Sequence, residues 1–300
     1  MEQRLKLFTN LIDAGSFTLA AQQLRISQPA LSSSIKKLER ELGDELLDRR
    51  DFSLTEAGRL AYEAGKKLHV DELNLESALA ELAGRKPQLR IGMIDSLAEI
   101  LFVRGNAYDR VSETASLALT IDNSARLVRQ LAEGSIDVAF VVADIDYPAD
   151  LIVQQKLGDE PLVLVGAHSQ QAHVQRASTT GILQNFLSYN EGSRTQKLVR
   201  RAAASGGLAL ETHFYATSPN IMLAMVQAGK GIAALPYHMV AQHISRHSLL
   251  PIAINGSYVI KRPVLALTRR GRSLPPAASM LAAMTEASLK SLTARAKKTS

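Results

Sequence analysis

The sequence predicts an α/β protein with a mainly helical N-terminal domain, a long connecting helix and a C-terminal domain of alternating strands and helices. Three observations support this fold class. The length of 300 residues suits about two domains. Apolar residues recur at helical spacing up to position 84, and short apolar runs alternate with helical segments after position 87. Between them, Arg85-Lys86-Pro87 marks a domain boundary.

Composition excludes several classes of protein. With 46% hydrophobic and 21% charged residues, the chain can bury substantial cores. No apolar run approaches the ~18–20 residues that span a bilayer, and the first six residues lack the apolar core of an export signal. We therefore expect a cytoplasmic protein with no membrane partner. The absence of cysteine excludes disulfides and thiolate metal sites, and no cofactor is expected.

The net charge of +6 does not by itself indicate a nucleic-acid partner. Residues 1–60 hold nine Lys/Arg and nine Asp/Glu, so this candidate DNA-binding segment is formally neutral. The excess of positive charge lies in residues 261–300, which contain nine Lys/Arg and a single acid, Glu286. A basic terminus is usually a solvated surface. The positions of individual residues must decide the function.

The first forty residues predict three helices. The first carries an apolar stripe and ends at Gly15. Either Ser16 or Thr18 can cap a second helix over 19–24. After a very short connection Ser27 caps a third helix, which tolerates Pro29 in its first turn. Two helices joined by a tight turn form the helix-turn-helix pattern.

The third helix has one apolar and one polar face. Leu31, Ile35, Leu38 and Leu42 form the stripe, and Gly43 ends the helix. The side chains that lie off this stripe, near its N-terminal end, are Gln28, Ser32, Ser33 and Lys36. In helix-turn-helix proteins that end enters the major groove, where Gln can pair with adenine and Lys with guanine or phosphate. The alternative is a merely solvated polar face.

The residues around this motif resemble the signature of the LysR-type transcriptional regulators. The matching run is Gly15-Ser16-Phe17-Thr18-x-Ala20-Ala21-x-x-Leu24-x-Ile26-Ser27-Gln28-Pro29-Ala30-Leu31-Ser32. It continues with Ile35, Leu38-Glu39, Leu42-Gly43, Leu46, Arg49 and Leu54-Thr55-x-Ala57-Gly58. The resemblance implies a winged helix-turn-helix over residues 1–58, double-stranded DNA as partner and no enzymatic activity.

The resemblance also assigns roles to residues. It places Gln28, Pro29, Ser32 and Ser33 at positions that face bases. It places the side chains of Ser16, Thr18, Lys36 and Arg49 near the phosphate backbone, and we add Ser27 and Arg50 to the DNA-binding set. Three departures from the family pattern matter: Ser33 stands where many members have Arg, Leu47 replaces the usual Phe, and the wing between Arg49 and Leu54 is about two residues short.

A long stretch without proline follows and predicts a connecting helix that ends near Ala83-Gly84, within a linker over residues 59–87. Its apolar positions alternate at steps of four and three, the spacing of a coiled-coil seam: Ala61, Gly65, Leu68, Glu72, Leu75, Leu79 and Leu82. The resemblance implies a homodimer through this helix, assembled further into a tetramer, and a quasi-palindromic operator. The alternative is a helix packed on its own domain.

Residues 88–300 predict an open, mainly parallel sheet with helices on both faces. The predicted strands are 89–94, 116–121, 138–142, 162–165 and 232–235, and the predicted helices are 97–108, 124–133, 194–205 and 219–229. Segments such as Leu89-Arg90-Ile91-Gly92 and Ile136-Asp137-Val138-Ala139 resemble the effector domain of the same family, which is similar to periplasmic binding proteins. The resemblance implies two lobes, about 88–162 with 265–300 and about 163–264.

In such folds a ligand lies at the carboxyl ends of the strands. Polar residues at or near helix starts there are the candidate effector contacts: Ser96, Asn123, Ser124, Ser193 and Ser218. Several helix N-termini directed at one cavity would favour an anionic small molecule. The alternative for each residue is an ordinary helix cap.

Other function classes find less support in the sequence. An α/β enzyme would need a catalytic motif, and neither a Walker loop nor a Gly-x-Ser-x-Gly elbow is present. His238, His243 and His247 lack a neighbouring carboxylate in sequence, so a metal site is not expected. A solute-binding module or an α/β enzyme that carries a DNA-binding domain remains the alternative.

Overall fold

The computed structural model describes residues 1–143, 145–271 and 276–299. The chain divides into two compact units, one built on Met1–Pro87 and the other on Gln88–Ala132 with the chain from Ile136 onward. Each unit has a core of its own, as the change of sequence pattern near residue 87 predicts.

The N-terminal unit is a winged helix-turn-helix followed by a long helix, which confirms the predicted fold class. Its elements are α1 (Glu2–Ala14), α2 (Phe17–Leu24), α3 (Gln28–Leu42), β1 (Leu47–Asp48), β2 (Ser53–Leu54) and α4 (Glu56–Leu82). Phe8, Leu11, Leu31 and Leu38 are fully buried between the helices. Gly15 and Gly43 end α1 and α3 with φ of 72° and 78°, a conformation that glycine adopts without steric cost.

Helix α2 begins two residues earlier than predicted. The hydroxyl of Ser16, not that of Thr18, caps it by accepting a hydrogen bond from the Leu19 N–H at 3.2 Å. Phe17 is therefore the first helical residue, and Thr18 lies exposed in the first turn. Arg25 ends the helix with a φ of 54°, so the tight turn of the motif contains an arginine in the left-handed backbone conformation.

The second unit is a nine-stranded sheet with helices on its faces. Its strands are β3 (Gln88–Met93), β4 (Ser116–Ile121), β5 (Val138–Val142), β6 (Ile152–Gly166), β7 (Ile182–Tyr189), β8 (Ala209–Ala216), β9 (Ile232–Pro236), β10 (Leu250–Ile252) and β11 (Val259–Arg269). Its helices are α5 (Asp95–Ala98), α6 (Ala107–Ser112), α7 (Ser124–Glu133), α8 (Gln171–Thr180), α9 (Arg194–Ser205), α10 (Pro219–Gln227), α11 (Tyr237–Ser245) and α12 (Pro276–Ala296).

The sheet is less parallel than predicted. Its strand order is β4-β3-β5-β11-β6-β9-β7-β8, with β10 beside β6. The parallel pairings lie in two outer sets, β4-β3-β5 and β9-β7-β8. Strands β6 and β11 cross the middle and pair antiparallel with each other and with both sets. The two long strands thus join two smaller α/β layers.

Three apolar clusters follow this division. One lies around β3, β4 and β5 with α7 and α12, and two lie on the opposite faces of β7 and β9. Strand β6 contributes Ile152 and Leu157 to the first cluster and Leu162 to Val165 to the other two. We call the part around the first cluster the first lobe and the part around the other two the second lobe.

Several predicted boundaries were wrong. The helix predicted over 97–108 is broken into α5, a π-helical segment Glu99–Val103 and α6. Strand β6 extends ten residues upstream of the predicted 162–165 segment, because the polar residues between 154 and 160 belong to a crossing strand with an exposed face. Strands β7, β8, β10 and β11 and helices α8, α11 and α12 were not predicted.

Candidate nucleic-acid interface and ligand cleft

Helix α3 is anchored by its buried stripe and presents its N-terminal turn outward. Leu31, Ile35 and Leu38 are at most 1% exposed, which fixes the rotation of the helix about its axis. The hydroxyl of Ser27 caps the helix by accepting a hydrogen bond from the Ala30 N–H at 3.3 Å, and Pro29 lies in the first turn. Because Pro29 has no N–H and the Ala30 and Leu31 amides donate to Ser27, the Gln28 N–H is left without an intrahelical acceptor at the end of the helix that carries a partial positive charge.

The polar face of α3 is uncommitted. Gln28, Ser33 and Lys36 are exposed, and Ser32 is half-buried beside them. In the part of the chain that the structure describes, no hydrogen bond or ion pair occupies these four side chains. They are therefore free to bind an external partner without first losing an internal contact.

The wing presents two arginines that are already paired. Strands β1 and β2 form an antiparallel pair, with Leu47 opposite Leu54. Arg49 donates to Glu39 at 3.0 Å, and Arg50 donates to its neighbour Asp48 at 2.6 Å. This second pairing lowers the pKa of Asp48. A phosphate contact by either arginine would have to replace a carboxylate contact.

Ion pairing leaves cations exposed near the helix-turn-helix. Arg4 pairs with Glu41, whereas Arg25, Lys36 and Lys37 form no ion pair among the described residues. Arg25 follows α2 and the two lysines lie on α3. The charge of residues 1–60 stays balanced as a whole, but these three cations lie on or directly beside the helix-turn-helix. Arg25 and Lys37 were not singled out from the sequence, although their position beside the motif was visible there.

The predicted seam of α4 divides into two parts. Ala61 and Gly65 are buried against α1 of the same unit, and a Cβ at Gly65 would lie 2.1 Å from the Thr9 hydroxyl. Glu72 forms an ion pair with Lys6. The N-terminal half of the seam therefore packs on its own domain, which was the alternative interpretation, because glycine and alanine allow α1 to approach closely.

In the C-terminal half of α4 the last three leucines of the predicted seam are exposed. Leu75, Leu79 and Leu82 are 61%, 50% and 86% exposed. They lie at steps of four and three, which places them on one helix face. A contiguous exposed leucine face of this kind is typical of a helix that pairs with another helix.

In the second unit, a buried polar cluster joins the two lobes. Arg262 of β11 donates from Nε to Glu160 of β6 at 3.0 Å, and its Nη2 contacts both Glu160 and the Ser96 hydroxyl, the latter at 2.8 Å. Its Nη1 donates to the Thr195 hydroxyl at 3.1 Å. Ser96, Glu160, Thr195 and Arg262, which we call the crossover cluster, are all less than 9% exposed.

The cluster lies where the fold class predicts a ligand cleft. Ser96 follows the carboxyl end of β3 in the first lobe, and Thr195 follows the carboxyl end of β7 in the second. Glu160 and Arg262 belong to the two crossing strands. One guanidinium thus contacts a strand end of each lobe, which is the position that ligands occupy in open α/β sheets.

The electrostatics of the cluster follow from burial. Burial opposes the charge on Arg262, yet the adjacent Glu160 carboxylate outweighs it and the pKa of Arg262 is raised. Burial also raises the pKa of the nearby Tyr189 hydroxyl to about 12. The Glu160 Oε1 atom is buried without a hydrogen-bond partner. An unsatisfied buried carboxylate oxygen is an acceptor that a ligand could use.

The five predicted effector residues have different surroundings, and only Ser96 joins the cluster. Ser193 caps α9 by accepting from Gln196 N–H at 3.2 Å, and Ser218 caps α10 by accepting from Ile221 N–H at 3.5 Å. Asn123 caps α7 by accepting from Arg126 N–H. The buried Ser124 hydroxyl accepts from Val142 N–H at 3.1 Å and so fastens α7 to β5.

Sequence reasoning missed Thr195, Glu160, Arg262 and Tyr189. Two signals were available: a charged residue next to proline within each of two apolar runs, at Glu160-Pro161 and Arg262-Pro263. Charged residues inside strands are rarely fully buried unless they are paired, so each of these charges required a partner of opposite sign if its strand was buried. Nothing in sequence indicated that residues 102 positions apart would meet.

Neither a membrane-spanning helix nor a metal-binding cluster is found among the described residues. No described helix is long and apolar enough to cross a membrane. No group of three or more His, Asp or Glu among the described residues could hold a metal ion. His243 lies beside Gln227, and the His247 carbonyl contacts His168. His243 and His247 thus contact different residues.

A helix-turn-helix joined to a two-lobed domain with a buried polar cleft defines a class of protein, the ligand-responsive transcriptional regulators. Two sequence families match the chain: "Bacterial regulatory helix-turn-helix protein, lysR family" over residues 3–59 and "LysR substrate binding domain" over residues 83–290. The chain therefore belongs to the LysR family of transcriptional regulators. Members of this family are DNA-binding regulators and not enzymes.

Known proteins resemble the chain over its whole length. It is 25% identical over 282 residues to the RuBisCO operon transcriptional regulator of Allochromatium vinosum, covering 92% of each chain. The crystal structure of CbnR, a LysR family transcriptional regulator, aligns with a TM-score of 0.68 at 21% identity and covers 96% of this chain and 99% of that one. Full-length CbnR complexed with its target DNA aligns with a TM-score of 0.66 at 21% identity and the same coverage.

Proposed function

We propose that this regulator reads a specific DNA sequence with the N-terminal turn of α3. The observation that carries the proposal is the uncommitted polar face of a helix that is otherwise anchored by buried residues. Gln28, Pro29, Ser32 and Ser33 would face base edges in the major groove. Because Ser33 offers a short hydroxyl, discrimination would depend mainly on Gln28.

The residues around this face would bind phosphates. Lys36 supplies a free charge, Thr18 an exposed hydroxyl, and the capped turns at Ser16 and Ser27 supply amide N–H groups. Arg49 and Arg50 would reach phosphates by exchanging their carboxylate partners. The ten residues proposed to bind DNA are Ser16, Thr18, Ser27, Gln28, Pro29, Ser32, Ser33, Lys36, Arg49 and Arg50.

We infer a homodimer that pairs through the exposed leucine face of α4, and a tetramer built from two dimers. The face of Leu75, Leu79 and Leu82 supports pairing of helices, although it is shorter than the seam expected over the whole connecting helix. A two-fold dimer would bind a quasi-palindromic operator with one half-site for each winged domain. The corresponding domains are residues 1–58, 59–87 and 88–300.

We propose that a small anionic effector binds between the lobes at the crossover cluster. The guanidinium of Arg262 and the hydroxyls of Ser96 and Thr195 are donors from three segments that meet at one point, the arrangement that binds a carboxylate. In the observed arrangement Glu160 occupies the donors of Arg262 and Ser96, and the Thr195 hydroxyl accepts from Arg262. An effector carboxylate would therefore compete with Glu160, and the displaced carboxylate would change how the lobes close. Asn123, Ser124, Ser193 and Ser218 would act mainly through the helix ends that they fasten.

Effector binding would alter transcription through the lobes. A ligand shifts the balance between two lobe arrangements only by its differential affinity for them, typically ~1–3 kcal/mol. The change would alter the spacing of the DNA-binding domains in the oligomer, and with it DNA bending or contact with RNA polymerase. Since bacterial DNA lies in the cytoplasm, we place the protein there.

An electrophoretic mobility shift with DNA from upstream of the protein's own gene tests the proposal. Specific retardation that survives competitor DNA, and that candidate metabolites alter, is the expected result. Cationic or neutral metabolites as the sole active compounds would refute the anionic effector. Failure to bind any duplex at low ionic strength would refute the DNA-binding assignment itself.

A further inference from the structure

A groove on the second unit lies apart from the crossover cluster. It is bordered by the segment around the π-helix Glu99–Val103, by α11 and by α12, and it encloses about 840 Å³. That volume falls within the range of small-molecule sites, roughly 300–1,000 Å³. Its walls come from both lobes, since the π-helical segment and most of α12 pack in the first lobe and α11 packs in the second.

The groove is positively charged and rich in unused donors. Two arginines, Arg104 and Arg295, line it, and no carboxylate does. Arg295, Ser288 and Ser291 of α12 form no side-chain hydrogen bond or ion pair within the described part of the chain. Arg104 donates from Nε to Glu99 at 2.8 Å, which leaves its Nη atoms for another acceptor. An anion placed here would meet donors that have no acceptor among the described residues.

A buried histidine at the base of the groove is the second observation. The His238 side chain is 3% exposed, yet neither ring nitrogen has a hydrogen-bond partner in the described structure. Its Nε2 atom lies 3.5 Å from Glu99, and its Nδ1 atom lies 4.0 Å from Glu160. Buried polar groups are normally satisfied. The groove thus holds an unpartnered polar side chain at its floor and unpaired cationic and hydroxyl groups at its rim.

We propose that this groove is a second effector site, for a small molecule carrying phosphate or carboxylate groups. Arg295 and Arg104 bind the anion, Ser288 and Ser291 donate to its remaining oxygens, and His238 closes the floor. Arg104 ends the π-helical segment of the first lobe, whereas the end of α12 at Arg295 packs with α11 in the second lobe. Because the bound anion bridges Arg104 and Arg295, it stabilises one lobe arrangement. Glu99 connects the two sites, since it contacts both Arg104 and His238, whose second nitrogen faces Glu160 of the crossover cluster.

Calorimetric titration of the full-length protein with sodium phosphate, and separately with sodium citrate, tests the proposal. Ionic strength is held constant with sodium chloride, and the two probes distinguish a phosphate site from a carboxylate site. Arg295→Gln removes the free charge from the rim, and Lys290→Gln removes an exposed charge from the same helix outside the groove. Ser96→Ala removes a donor from the crossover cluster alone.

We expect one of the two anions to bind the wild type, Arg295→Gln to weaken that binding about tenfold, the loss of one charge-assisted hydrogen bond, and Lys290→Gln to leave it unchanged. No binding above that of chloride would overturn the proposal. Binding that Arg295→Gln and Lys290→Gln weaken equally would overturn it as well, since this result shows only general attraction. Binding lost in Ser96→Ala and retained in Arg295→Gln would assign the anion to the lobe cleft and also reject the groove.

Discussion

Replacement of Arg262 by Met tests the crossover cluster most directly. Arg262 is 4% exposed and Glu160 is fully buried, and the guanidinium contacts that carboxylate through two nitrogens. In the variant the buried Glu160 carboxylate keeps the hydrogen bond that the Ser96 hydroxyl donates to it at 3.2 Å. Removing one partner of a buried ion pair costs about 3–5 kcal/mol. We expect a loss of that size in the free energy of unfolding.

The double variant Arg262→Met/Glu160→Met removes both charges and fills the space with side chains of similar length. Apolar replacement of a complete buried pair is often neutral, and here the Ser96 and Thr195 hydroxyls lose a partner at a cost of about 1 kcal/mol each. We therefore expect the double variant to lose about 2 kcal/mol, and so to recover about 1–3 kcal/mol of the loss seen in the single variant.

Chemical denaturation followed by far-ultraviolet circular dichroism measures these differences, because the chain has no tryptophan. Arg126→Met, which changes an exposed arginine on α7, is the matched control. The Arg262→Met protein should also regain stability as the pH falls, since protonation neutralises the isolated Glu160. Equal stability of Arg262→Met and the control would refute the reasoning, as would a double variant no more stable than the single one.

Four further predictions follow from the two units. Gln28→Ala should weaken specific DNA binding by about 1–3 kcal/mol and Gln3→Ala, an exposed change on α1, should not; equal affinities in a mobility shift would reject the groove assignment. Lys36→Gln should weaken binding to all sequences and reduce the slope of log K against log salt by about one, and an unchanged slope would contradict a phosphate contact. Leu79→Glu should dissociate dimers in sedimentation analysis, whereas an intact dimer would place the interface elsewhere. Burial lowers the pKa of His238 below 6.5, so the unfolded chain binds more protons than the folded one, and the free energy of unfolding should fall as the pH drops from about 6.5 toward the folded pKa. Chemical denaturation of His238→Asn should not show this loss of stability. A pH profile identical to that of the wild type would assign the loss to other groups.

Local interactions explain why the N-terminal half was predictable. Ser27 before Pro29, the stripe of α3 and Gly43 after it act within a few residues of one another, and each has the same structural meaning in any fold. The same reasoning correctly predicted β4, β5, α7 and α9, whose apolar residues lie at the period of their element. Only the start of α2 shifted, because two hydroxyls stood within reach of the same turn.

The crossing strands could not be predicted in this way. Strand β6 reads as polar over much of its length, and β11 contains a proline and an arginine, so neither shows a regular alternation. Their pairing joins residues up to 117 positions apart, from Ile152 to Arg269. Such pairing depends on the arrangement of both lobes, so a local sequence pattern does not predict it.

The order of residues along the chain determined the helix-turn-helix, the surface that it presents and the existence of an α/β domain, because caps, stripes and turns are short-range interactions. Tertiary structure alone decided which half of α4 is buried and which charges meet between the lobes. The lack of a side chain at Gly65, for example, matters only because Thr9 of α1 packs against it. Arg262 and Glu160 are stable in the interior only as a pair, because each neutralises a charge that burial would otherwise make unfavourable. Their encounter therefore required the complete fold.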